Sequence, residues 1–127
     1  MANSSFRVRL TWIYAGLLIA ALNATPAFAH AHLQSSIPDK DATVSTPLTE
    51  IVVTFNEPVT PAVMNVLDQD GQPVKTVGQP RAEGNSLHLP LTARLAPGHY
   101  TATWRVAGSD THVVTGSLAF VVAKTAP

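Results

Sequence analysis

Two short stretches of the chain carry side chains that could bind a metal ion together. The first is His30-Ala31-His32, and the second is the pair formed by Asp110 and His112. In an extended chain, residues two apart point to the same face about 6.6 Å from each other, at a rise of roughly 3.3 Å per residue. A carboxylate and an imidazole can therefore converge on one ion. The same pair also occurs as a plain hydrogen-bonded couple, so further donors are needed before it indicates a metal site.

Those donors are expected at His30, because a predicted cleavage site lies directly before it. Ala27-Phe28-Ala29 has the small residues that signal peptidases require. Cleavage after Ala29 would give His30 a free α-amine beside its imidazole, and both groups can release protons to a metal near neutral pH. With Asp110 and His112 they would supply three nitrogens and one oxygen. This set suits tetragonal Cu(II), whereas zinc, the alternative metal, favours a tetrahedral arrangement.

Residues 1–29 have the pattern of a secretory signal peptide. Arg7 and Arg9 supply a positive start, and the uncharged run from Trp12 to Leu22 is too short to cross a bilayer unaided. We therefore expect an exported domain, residues 30–127, that does not span the membrane after cleavage. An uncleaved N-terminal membrane anchor is the alternative.

The expected mature domain is close to neutral and contains no cysteine. Cleavage leaves 98 residues with six Lys and Arg against eight Asp and Glu, a formal charge of −2. Such a chain is long enough for one domain and has no basic surface for nucleic acid. Without disulfides its stability must come from an apolar core, and without thiolates it lacks soft metal ligands.

Short alternating segments separated by Pro, Gly, Asn and Asp predict an all-β fold. The clearest period-2 pattern runs from Tyr100 to Val106, and another runs from Ile51 to Phe55. About seven such strands favour an immunoglobulin-like Greek-key β-sandwich or barrel. We expect its core to contain the remaining aromatic residues, which are Phe55, Tyr100, Trp104 and Phe120.

Two further histidines carry no neighbouring donor that would suggest a metal site. His88 lies between two leucines of a predicted strand and is expected to point to solvent. His99 follows the turn at Pro97-Gly98 and is expected to begin a strand. Neither is predicted to be a ligand.

His32 allows a different way of binding copper. A free N-terminus with histidine at the third position can bind Cu(II) through the amine, two deprotonated amides and the third-residue imidazole. This tail mode would leave Asp110 and His112 unused. It is disfavoured because a first strand, predicted from Ala31 to Ser35, needs its backbone amides for pairing. We expect His32 to lie near the site or on the surface, and replacement of His112 would discriminate between the two modes.

Several motifs, taken together, resemble the CopC family of periplasmic copper-resistance proteins. The resemblance covers essentially all of residues 30–127, and the segment that ends in Ser117 is its most specific part. The motifs are His30-Ala31-His32-Leu33, Ser35-Ser36-Ile37-Pro38, Thr54-Phe55-Asn56-Glu57-Pro58-Val59, Pro97-Gly98-His99-Tyr100, Trp104-Arg105-Val106 and the run from Ser109 to Ser117.

The resemblance implies a Greek-key β-barrel or sandwich with Cu(II) bound by His30, Asp110 and His112. Some members add a glutamate near the site, which here is Glu57; a solvated charge at a strand edge is the alternative for that residue. Some relatives also hold Cu(I) in a methionine-rich loop. Met64 is the single methionine after residue 29, so the sequence predicts a member that binds Cu(II) only.

The expected function is a binding protein that buffers or delivers Cu(II) in copper resistance or homeostasis. The resemblance implies a CopD-like inner-membrane protein as a partner. One alternative is a copper-dependent oxidative enzyme with a histidine brace, but the few aromatic residues form no platform for a polysaccharide and Asp110 would occupy a copper position. The other is a metal-free immunoglobulin-like interaction domain.

Overall fold

The computed structural model describes residues 30–45, 47–91 and 94–124, so the predicted signal peptide at 1–29 lies outside the described residues. Within these ranges the secondary structure is β throughout, and no helix is long and apolar enough to cross a membrane. The eight strands are β1 Leu33–Ile37, β2 Thr43–Val44, β3 Glu50–Phe55, β4 Thr60–Leu67, β5 Arg81–Glu83, β6 Ser86–Pro90, β7 Gly98–Ala107 and β8 Val113–Val122.

The strands form two four-stranded sheets, in the orders β1-β3-β6-β5 and β2-β8-β7-β4. All neighbours are antiparallel except β2 and β8, which are parallel. The predicted all-β sandwich is confirmed, with eight strands where the sequence predicted about seven. Two of the eight, β2 and β5, were not predicted, since they have two and three residues, too few to show a period-2 pattern. A further strand that the sequence predicts, from Val74 to Val77, is not formed; an isolated bridge joins Thr76 to Leu91 there.

Alternating side chains of both sheets meet in one core. The inward residues of β3 and β7 are apolar and buried, as the period-2 pattern predicted. The rings of Phe55 and Trp104 meet edge to face with centroids 6.2 Å apart, and those of Tyr100 and Phe120 stack at 5.6 Å. Each large apolar side chain buried in this way contributes about 1.5–3 kcal/mol. The core therefore stabilises the domain without disulfides.

The strand register brings three connections to one end of the sandwich. Leu33 at the start of β1 pairs with Phe55 at the end of β3. The chain then turns into β4, whose first residue Thr60 pairs with Ala107 at the end of β7. Ala107 in turn pairs with Val113 across the β7–β8 loop. The segment before β1, the β3–β4 connection and the β7–β8 loop are neighbours for this reason.

We expect Gly116→Ala to destabilise the domain by about 1–3 kcal/mol through overpacking. Gly116 pairs with Trp104, and a Cβ built on it would lie 2.4 Å from the indole ring. The measurement is urea unfolding followed by the fluorescence of Trp104, with a lower midpoint and an unchanged slope. Ser117→Ala, at the exposed neighbouring position, is the control. Equal midpoints for the two variants would contradict this packing.

Candidate metal centre

The β7–β8 loop is a tight turn that fixes two of the predicted site residues. The N–H of Gly108 donates to the carbonyl oxygen of His112 at 3.1 Å, and the N–H of Thr111 donates to the carbonyl oxygen of Gly108 at 3.0 Å. Thr111 closes the turn with a φ of +66°. Because β7 and β8 pair along their whole lengths below it, the turn stands on a rigid hairpin.

Asp110 and His112 contact each other twice. The backbone N–H of His112 donates to Asp110 Oδ1 at 3.1 Å, and His112 Nδ1 lies 2.8 Å from Asp110 Oδ2. These hydrogen bonds from His112 lower the pKa of the Asp110 carboxyl, and the nearby His30 lowers it further. The carboxylate is therefore ionised at neutral pH, the form in which it can bind a cation.

The third predicted residue, His30, lies next to this pair. Its ring meets the ring of His112 nearly perpendicularly, with centroids 5.6 Å apart. One potential ligand atom from each of His30, Asp110 and His112 lies within 4.8 Å of the others. Among the described residues no other group of three His, Asp or Glu side chains meets this criterion. Both histidines are exposed, so an ion can reach the group from solvent.

His32 lies outside this group, and its backbone N–H is held by a side chain rather than by the strand pairing that the sequence predicted. The strand begins one residue later than His32, at Leu33. The N–H of His32 donates to the side-chain oxygen Oδ1 of Asn56. The N–H of Asn56 donates back to the carbonyl oxygen of His32 at 3.0 Å. Asn56 was not singled out as a site residue from the sequence, where it appears only as a polar residue of the predicted strand that ends at Pro58 and as part of a family motif.

Glu57 is not a solvated edge charge, because its carboxylate packs beneath the β7–β8 loop. Oε2 accepts a hydrogen bond from the Ser109 hydroxyl at 3.2 Å, while Oε1 is buried without a hydrogen-bond partner. A Cβ on Gly108 would lie 2.2 Å from Oε1. Glu57 thus occupies the space that the missing side chain of Gly108 leaves open. The Gly-Ser pair just before Asp110 was the available sequence signal for this contact.

The remaining histidines lie apart from the group. His88 is on the outer face of its sheet, but its side chain is only 16% exposed. The prediction that it points into solvent is therefore wrong. Its ring nitrogens lie 3.4 Å from Glu50 and 3.7 Å from Glu83. Arg81 binds Glu83 at 2.9 Å and covers the same surface. His99 is exposed on β7, near the start of that strand as predicted.

The fold and the residue group define a class of protein, a small β-sandwich that presents two histidines and a carboxylate at one end. A family model described as the CopC domain matches residues 33–123. The chain therefore belongs to the CopC family, and the resemblance inferred from its sequence motifs is confirmed.

Named relatives agree with this assignment. Copper resistance protein C of Xanthomonas campestris pv. juglandis is 35% identical over 115 residues, which cover 84% of this chain and 90% of the relative. The crystal structure of CopC from Methylosinus trichosporium OB3b has a TM-score of 0.67 at 28% identity and covers 74% of this chain and 94% of that one. PcoC, a methionine-rich copper resistance protein from Escherichia coli, has a TM-score of 0.64 at 29% identity, with coverage of 74% and 99%.

We expect Gly108→Ala to destabilise the domain by about 1–3 kcal/mol, because the new methyl group would overlap the Glu57 carboxylate. The backbone of Gly108 is not in the left-handed region, so steric overlap is the reason for the cost. A double-mutant cycle in urea measures it: Gly108→Ala should cost much less in a Glu57→Ala background, and its full cost should remain in a Glu57→Gln background. The same cost in all three backgrounds would show that Glu57 does not fill this space.

Proposed function

We propose that the protein is exported, loses residues 1–29, and binds Cu(II) in the periplasm through His30, Asp110 and His112. In this role residues 30–127 buffer or deliver copper in copper resistance or homeostasis. The observation that carries the proposal is the convergence of these three side chains at one end of the sandwich. The CopC membership and the names of the relatives support copper as the metal.

The chemistry of the donor set fits Cu(II). His112 offers an imidazole and Asp110 an ionised carboxylate. Cleavage before His30 turns its peptide nitrogen into an amine, which adds a second nitrogen to that of the ring. Nitrogen and carboxylate donors are those that Cu(II) prefers among protein ligands. In this proposal Glu57 supports the loop from below, and His32 stays outside the ligand set.

The protein acts in this proposal as a binding module rather than an enzyme. The four aromatic residues after position 29 are all buried in the core, which removes them from any stacking surface for a polymeric substrate. The exposed histidines at the end of the domain give a partner direct access to the ion. A CopD-like inner-membrane protein, implied by the family resemblance, is the proposed recipient.

We expect tight Cu(II) binding only when His30 is the first residue. A domain that begins at His30 and one that carries a single extra residue before it are titrated with Cu(II) and compared by electron paramagnetic resonance. The first should bind tightly and give a nitrogen-rich tetragonal spectrum. In the second the backbone nitrogen of His30 is a peptide amide rather than an amine, so tight binding should be lost.

Two variants accompany this titration, one that removes a proposed ligand and one that serves as the control. Replacing a residue that merely supports metal ligands weakens metal binding by about 10- to 100-fold, so His112→Ala should cost at least the upper end of that range. His99→Ala, at an exposed position outside the group, should have no effect. Equal binding by both N-terminal forms would remove the amine from the mechanism, and no binding by either would overturn the copper proposal.

We also expect no tight stoichiometric binding of Cu(I). This ion prefers thioether and thiolate donors. The domain has no cysteine, and Met64 is buried at 4% exposure. Competition with a Cu(I)-specific chromophoric chelator under reducing conditions measures this. Tight one-to-one binding of Cu(I) would contradict the proposal of a Cu(II)-only protein.

A further inference from the structure

We propose that Asn56 is the residue that directs Cu(II) to the folded group and away from the His30-Ala31-His32 tail. This inference rests on the proposed function, since both binding modes require the free amine of His30. Because they share that amine, one ion cannot use both modes at once. His30-Ala31-His32 has every residue that the tail mode needs. If copper is bound by the folded group instead, an interaction within the folded domain must oppose the tail mode.

The tail mode has a definite requirement for the backbone. Cu(II) takes the places of the amide protons of Ala31 and His32, and these protons pass to solvent. The His32 imidazole then completes a set of four nitrogens around the ion. Any interaction that needs the His32 amide proton therefore opposes this mode.

Asn56 provides such an interaction. Its side-chain oxygen accepts a hydrogen bond from the His32 N–H, and its own backbone N–H donates a hydrogen bond to the His32 carbonyl oxygen. Once the proton is lost, Oδ1 faces a nitrogen that can no longer donate, and the hydrogen bond is gone. In the folded mode the bond persists, because His30 contributes only its amine and its ring.

The position of Asn56 makes this contact a consequence of the strand register. Leu33 pairs with Phe55, so the residues that flank this pair, His32 and Asn56, lie opposite each other. Ala31 adds to the constraint, since it is only 3% exposed and packs in the core. Wrapping the tail around an ion would pull its methyl group out. Asn56 itself is exposed, so its side chain can be changed without opening the core.

The test uses the domain that begins at His30, with Asn56→Ala as the variant and Asn56→Asp as the matched control that keeps an acceptor oxygen. All measurements are made at one neutral pH with one equivalent of Cu(II). In a His112→Ala background, where the folded group lacks a ligand, we expect Asn56→Ala to raise Cu(II) affinity about five- to tenfold, the effect of one lost hydrogen bond. Asn56→Asp should give no such gain.

Spectra identify the mode responsible. The Asn56→Ala gain should come with a four-nitrogen paramagnetic resonance signal, and His32→Ala should abolish both. An unchanged affinity and an unchanged spectrum in the Asn56→Ala, His112→Ala protein would overturn the inference. A wild-type spectrum that already has four nitrogens and ignores His112 would instead overturn the proposed function.

A measurement on the wild-type domain without copper covers the case in which Asn56→Ala fails to fold. Amide hydrogen exchange, followed by NMR, should show the His32 N–H protected well beyond an unstructured N-terminal amide. Exchange at the unprotected rate would show that Asn56 does not hold the proton, and this would also overturn the inference.

Discussion

The edge-to-face contact between Phe55 and Trp104 joins the two halves of the candidate site. Phe55 ends β3 and pairs with Leu33, which fixes the segment that carries His30. Trp104 lies on β7, the strand that leads into the loop of Asp110 and His112. Each sheet thus contributes one half of the group, and the distance between the halves is set by core packing. Loss of this packing would separate residues that are far apart in the sequence.

A second link, at the surface, reinforces the first. Glu57 lies two residues after the end of β3, and its carboxylate packs under the β7–β8 loop against Gly108 and the Ser109 hydroxyl. Asn56, its neighbour, holds the backbone of His32. Two consecutive residues of the β3–β4 connection therefore support both sides of the group. This connection is a positioning element even though neither residue belongs to the three-residue group.

The sequence predicted those parts of the structure that repeat or that carry distinctive chemistry. Strands β3 and β7 could be located because their alternation is long. Asp110 and His112 could be singled out because a carboxylate and an imidazole lie two residues apart, but the extended chain assumed for them was wrong, since a tight turn with Thr111 at a φ of +66° brings them together. Strands β2 and β5 were missed because two or three residues show no period. The roles of Gly108 and Asn56 were missed because each depends on a residue brought opposite by the register. The burial of His88 among Glu50, Glu83 and Arg81 has the same origin.

The burial of Ala31 has a consequence for the proposed removal of residues 1–29. A protease needs several residues of accessible, extended chain around the bond that it cuts. Here the proposed bond, Ala29–His30, is followed after one residue by a side chain in the core and then by a backbone clasped by Asn56. Only His30 separates the proposed cleavage site from the buried side chain of Ala31. In the proposed processing, removal of residues 1–29 would therefore have to precede docking of the first strand, and a chain that folded first would be a poor substrate for the protease.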